Sequence, residues 1–269
     1  MSGKETDCCP PQKTESGAIK HTVPHPVSEK TGLELAGTIE KLGGFDEVYV
    51  TGPEDAKHAI VVVYDIFGFW ETTNRGSDLL VSHLRSTFPS RVYMPDLFRG
   101  KAFPKSEDGN KEKLGKFFSG TAKLSDRLPE VIAFANFLKT DKGYKSVSIL
   151  GYCWGGKITL QALSSTLDKP TPFCCGAIVH PAMIAPEDGD NLAVPLGFYP
   201  SRDEPKDVVQ KIQAVNKDRF GNKSDYHLYD TVHHGWAAAR ANLKDPENLK
   251  QYEDVYQRVA KFFAKTGCA

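Results

Sequence analysis

Short, wholly apolar runs alternate along this chain with segments whose apolar residues recur at helical spacing. Ala59–Tyr64 is apolar throughout, as expected of a strand buried on both faces of a parallel sheet. Arg91–Met94, Ser146–Leu150, Gly176–Val179, Val194–Tyr199 and Tyr226–Tyr229 are further β-prone runs, Pro95 ending the first of them. Between them the spacing predicts helices. Ser77–Phe88 places Leu79, Leu80, Leu84 and Phe88 on one face, and Leu128–Leu138, Lys157–Leu163, Val208–Val215 and the amphipathic Glu253–Phe263 follow. Two β-prone runs near the start, Leu35–Lys41 and Glu47–Val50, are separated by Gly43-Gly44 and predict a hairpin. Strands alternating with helices predict an α/β fold, with a mostly parallel central sheet flanked by helices on both faces.

No repeat or linker divides this pattern. Residues 1–30 read as a polar N-terminal arm and residues 31–269 as one domain. Lysine plus arginine and aspartate plus glutamate are both 34, so there is no electrostatic footprint for nucleic acid or an anionic membrane. The longest apolar stretch, Ala59–Trp70, is short and interrupted by Asp65, which argues against a membrane span. The polar start resembles no secretory signal, so a cytoplasmic location is expected. Six cysteines, Cys8, Cys9, Cys153, Cys174, Cys175 and Cys268, follow neither a disulfide framework nor zinc spacing. Reduced thiols, no metal and no cofactor are expected. The sequence leaves monomer and homodimer equally open.

The chemistry concentrates at the ends of the predicted strands, where sites lie in parallel sheets. Gly151-Tyr152-Cys153-Trp154-Gly155-Gly156 joins a strand to a helix. A nucleophilic side chain at the apex of a tight, glycine-flanked turn is a nucleophile elbow, here carrying a thiol. The start of the following helix directs N–H groups at the sulfur and favours a thiolate. Asp203 and His234 lie beyond later strands. The order nucleophile, acid, histidine is that of an α/β-hydrolase triad. Cys153 is the expected nucleophile, His234 the proton shuttle and Asp203 the acid that orients it. Glu204 and His233 are the adjacent alternatives. Papain-like proteases share the Cys-Trp pair, but their cysteine lies near the mature N-terminus. A thiol redox enzyme and a non-catalytic binder that kept the fold are the competing readings.

Four segments together resemble the dienelactone hydrolases (carboxymethylenebutenolidases), especially their fungal members. They are Tyr64-Asp65-Ile66-Phe67-Gly68, Met94-Pro95-Asp96-Leu97-Phe98, the Cys153 elbow and His234-Gly235-Trp236, and the resemblance spans about residues 35–265. It implies a single α/β-hydrolase domain that opens a small lactone or carboxylic ester through a Cys-Asp-His triad and a thioacyl intermediate. It places the oxyanion on the backbone N–H groups of Ile66 and Trp154. Asp65 stands where bacterial members carry a glutamate that exchanges protons with the cysteine. Arg99 and Arg240 are the nearest equivalents of arginines that bind a substrate carboxylate. His180 and Trp236 are expected to line the pocket.

Overall fold

The computed structural model describes residues 19–20 and 37–267. The expected arm falls almost wholly outside them, as do Cys8, Cys9 and Cys268. The strands are β1 (Ile19–Lys20), β2 (Thr38–Leu42), β3 (Phe45–Thr51), β4 (His58–Val63), β5 (Ser90–Pro95), β6 (Ser146–Tyr152), β7 (Gly176–Val179), β8 (Leu196–Tyr199) and β9 (Asp225–Tyr226). They form one nine-stranded sheet in the order β1-β2-β3-β5-β4-β6-β7-β8-β9. From β5 to β9 every pairing is parallel, while β1, β2 and β3 extend the sheet antiparallel. This is an α/β-hydrolase arrangement with a mostly parallel sheet. The predicted hairpin is β2–β3, and Gly43 and Gly44, both at positive φ (58° and 86°), make its turn.

The helices are α1 (Glu71–Leu84), α2 (Lys111–Ser119), α3 (Leu124–Thr140), α4 (Trp154–Ala162), α5 (Pro186–Asp190), α6 (Lys206–Phe220) and α7 (Pro246–Thr266). All five predicted helices begin earlier than their apolar periodicity indicated, most of all α1, α3 and α7. The first turns of α1 bury Thr73, Asn74, Arg75, Ser77 and Asp78, polar residues that a hydrophobic pattern does not register. Among them, Gly76 lies against α7, whose Tyr256 side chain leaves no room for a Cβ there. In α3, Pro129 looks like a helix start but lies inside the helix. Lacking an N–H, it forgoes the helical hydrogen bond to the Ser125 carbonyl. In α7, Asp245 caps the N-terminus by accepting from the N–H groups of Glu247 (2.9 Å) and Asn248 (3.0 Å), with Pro246 following. The segment from 100 to 120, expected to be loop, contains α2, which Asn110 caps.

Strands β4 and β6 are the centre of the core: Ile60, Val61, Val62, Val63, Ile149 and Leu150 are fully buried. No helix among the described residues is long and apolar enough to cross a membrane. Two glycines give contrasting tests of the packing. A Cβ at Gly155 would run into the backbone carbonyls of Val63 and Tyr64, whereas one at Gly115, on the open face of α2, meets nothing within 4 Å. In urea unfolding, Gly155→Ala is expected to lose about 3 kcal/mol. Gly115→Ala is expected to gain about 1 kcal/mol, because alanine is the better helix former.

Candidate active site

Cys153 sits between β6 and α4 with φ 53° and ψ −115°, a left-handed backbone that a non-glycine residue adopts only under constraint. The constraint is visible on every side. The Cys153 N–H donates to the Val179 carbonyl (3.3 Å), and its own carbonyl accepts from the N–H groups of Gly156 (3.0 Å) and Ala182 (2.9 Å). Gly151 and Gly155 pack so closely that a Cβ on Gly151 would strike the Gly155 backbone and the Thr159 side chain. The Trp154 side chain anchors the turn from below, fully buried, with its indole N–H donating to the Ala122 carbonyl at 2.9 Å. The Cys153 side chain itself remains partly exposed.

His234, in the loop beyond β9, faces this sulfur. The Asp203 carboxylate does not meet its ring. It accepts the backbone N–H of His234 (2.8 Å) instead, and the side chain is otherwise exposed. Glu204 is the residue on the imidazole: its Oε1 lies 2.7 Å from Nδ1. Glu204 is buried and also accepts from the N–H and hydroxyl groups of Ser201. Adjacent side chains in this turn diverge, so only one of the two acids can face the ring. His233 turns its Nδ1 to the carbonyl of His234 (2.9 Å). Burial disfavours a charged His234. The negative charge and hydrogen bond of Cys153, followed by those of Glu204, outweigh burial and raise the ring to about 10.

Asp65 is buried at the end of the segment after β4, where its Oδ1 accepts from the Phe67 N–H (2.9 Å) and its Oδ2 from the Ala239 N–H (3.1 Å). Burial raises its pKa, and these two N–H groups oppose the shift. The carboxylate is therefore committed to the backbone of two loops. The neighbouring Ile66 carbonyl accepts from the Phe103 N–H (2.8 Å). The Trp154 N–H lies in the first turn of α4, where a helix offers its donors no intrahelical acceptor.

The profile of the dienelactone hydrolase family matches residues 47–267. The chain belongs to the dienelactone hydrolase family. An uncharacterised AIM2 family protein of Schizosaccharomyces pombe is 29% identical over 266 residues, covering 95% of this chain and 98% of that protein. The carboxymethylenebutenolidase homolog of Mus musculus is 30% identical over 226 residues, covering 81% and 87%. A crystal structure described as a putative dienelactone hydrolase from Klebsiella pneumoniae superposes with a TM-score of 0.63 at 17% identity, covering 81% of this chain and 92% of that one. That likeness concerns the fold alone. Family membership makes this chain a hydrolase of ester or lactone bonds.

For this dienelactone hydrolase family member, the remaining expected site residues divide. Arg240 lies near the site, its guanidinium 5.5 Å from the Phe67 ring centroid. Arg99 does not. It turns outward to Glu130 (3.0 Å) and over the Phe45 ring (5.4 Å). His180 and Trp236 are fully buried. His180 packs its ring 5.1 Å from that of His234, and burial together with the His234 charge holds it well below its ordinary pKa. Lys105 and Asp108, absent from the sequence reading, reach the same mouth. The Lys105 ammonium lies over the Trp70 ring (4.4 Å) and donates to the Ala239 carbonyl, and Asp108 pairs with Arg240. No spacing signal marks them, because they come from a turn before α2 that folds back onto the loop after β4. Among the described residues no cluster suited to a metal ion occurs.

The two acids can be separated by experiment. On an activated aryl ester, Glu204→Gln is expected to lower kcat about 100-fold or more, the scale of a disabled acid–base partner. Asp203→Asn, which weakens only a hydrogen bond to the backbone, is expected to cost about fivefold. Equal losses would contradict this assignment.

Proposed function

We propose that this hydrolase works through Cys153, His234 and Glu204, with a thioacyl intermediate. The observation that carries the reading is the convergence of a strained cysteine elbow on a histidine whose ring is held by a buried carboxylate. The Cys153 thiolate attacks the acyl carbon of a lactone or ester. The Ile66 and Trp154 N–H groups stabilise the resulting oxyanion. Collapse of that intermediate breaks the carbon–oxygen bond, and His234 gives its proton to the departing alkoxide or enolate, leaving a thioester on Cys153. His234 then takes a proton from water as the water attacks the thioester. The carboxylic acid leaves, and the thiolate and imidazolium are restored. Glu204 keeps the proton on Nδ1 and stabilises the cation, the role first expected of Asp203.

A thiolate is a better leaving group than an ordinary alkoxide, so the first intermediate of a stable ester returns to substrate. An enolate or phenolate leaves more readily, which favours enol-lactones and activated esters. Cys153, Cys174 and Cys175 are free thiols, in keeping with a reducing, cytoplasmic setting.

Intact-protein mass spectrometry with an activated aryl ester tests the reading. An acyl adduct that maps to Cys153 and decays as product forms supports it. Turnover retained by Cys153→Ala would refute the nucleophile. Peroxide reduction without an adduct would favour the redox alternative, and neither reaction would leave a binder. The pH dependence gives a second test. A pKa raised to about 10 keeps His234 protonated at neutral pH, so its proton is lost only as pH rises through that value. Hydrolysis of an ester with a poor leaving group should fall there, while alkylation of Cys153, which needs only the thiolate, should not.

A further inference from the structure

Arg240 reaches the mouth of the site from the loop that carries His234. Its guanidinium stands over the ring of Phe67, next to the oxyanion donor Ile66, and within electrostatic reach of Cys153 and Asp65. It is already occupied. Asp108 binds it with two parallel contacts, Nε to Oδ2 at 2.9 Å and Nη2 to Oδ1 at 2.5 Å. This fork is the geometry in which an arginine recognises a carboxylate-bearing ligand. Asp108 follows a short 3-10 turn, Lys105–Glu107, on a segment fastened to the oxyanion loop by the bond from the Phe103 N–H to the Ile66 carbonyl. Both partners are about one-third exposed, 33% for Arg240 and 32% for Asp108, so a dissolved anion can reach the pair. Lys105 brings a second cation to this mouth, but it meets a carbonyl and an indole face rather than a carboxylate.

Taking Cys153 as the hydrolytic centre, we propose that Asp108 is a selectivity residue: an internal carboxylate that fills the Arg240 guanidinium and biases the site toward esters and lactones with an uncharged acyl part. A substrate carrying a carboxylate near its acyl carbon must displace Asp108 and leave that charge unpaired. An uncharged substrate bears no such cost. The carboxylate is displaced without any covalent change. Asp108 therefore sets which substrates enter and takes no part in the bond-breaking steps.

The test compares kcat/KM for nitrophenyl acetate and for nitrophenyl hemisuccinate, which share a leaving group and differ in acyl charge. Asp108→Asn and Asp108→Ser are expected to raise the hemisuccinate-to-acetate ratio about three- to fivefold, the effect of releasing one partly exposed ion pair. Asp108→Glu, which can still pair with Arg240, should stay near the parent ratio. The gain should shrink in high salt, since it is electrostatic. Asp108 lies in an exposed turn outside the core, so two neutral replacements guard against a local folding effect of either. A ratio within twofold of the parent in both neutral variants, with both esters still hydrolysed, overturns the proposal and leaves Cys153 hydrolysis standing. Failure of the parent protein to hydrolyse either ester overturns the hydrolytic reading, and this proposal with it.

Discussion

The whole site depends on how closely the first turn of α4 is pressed against the end of β4. Gly155 lies so near the carbonyls of Val63 and Tyr64 that no side chain fits between them. This contact presses the cysteine elbow against the end of β4. It also forces Cys153 into its left-handed conformation, at a cost of about 1–3 kcal/mol. The turn persists because three backbone hydrogen bonds hold Cys153 to β7, to α4 and to the segment after His180. Position and strain here are one fact. A relaxed cysteine at this point of the chain would not face His234.

Charge in the site is arranged around a single imidazolium. Glu204 lies at one nitrogen of His234 and the Cys153 sulfur beyond the other, and together they overcome the burial that would strip the ring of its proton. His180 packs beside it and takes no second proton, because burial and the charge of His234 both oppose one. Both His180 nitrogens lack hydrogen-bond partners among the described residues.

Much of this was legible in the sequence, for reasons that can be named. The apolar runs marked β4 to β8 because a strand covered on both faces must be apolar on both. The elbow was readable because glycine is the only residue that fits at Gly151 and Gly155. The order of nucleophile, acid and histidine located the right loops, but choosing within a loop required coordinates. Asp203 and Glu204 are neighbours of like charge, and only the fold decides which is buried beneath the ring. Arg99 failed as a site residue because Glu130, more than a helical turn inside α3, claims it. Lys105 and Asp108 went unnoticed because a turn preceding α2 has no periodicity to betray where it folds. The starts of α1 and α3 were missed for the same reason, since polar burial and an interior proline both lie outside a hydrophobic pattern.

Asp65 has a consequence beyond local bonding. One of its oxygens accepts from Phe67, on the loop after β4, and the other from Ala239, on the loop that carries His234, 174 residues further along the chain. Two loops beside Cys153 are thus tied to one buried carboxylate. Removing that carboxylate would release both loops at once.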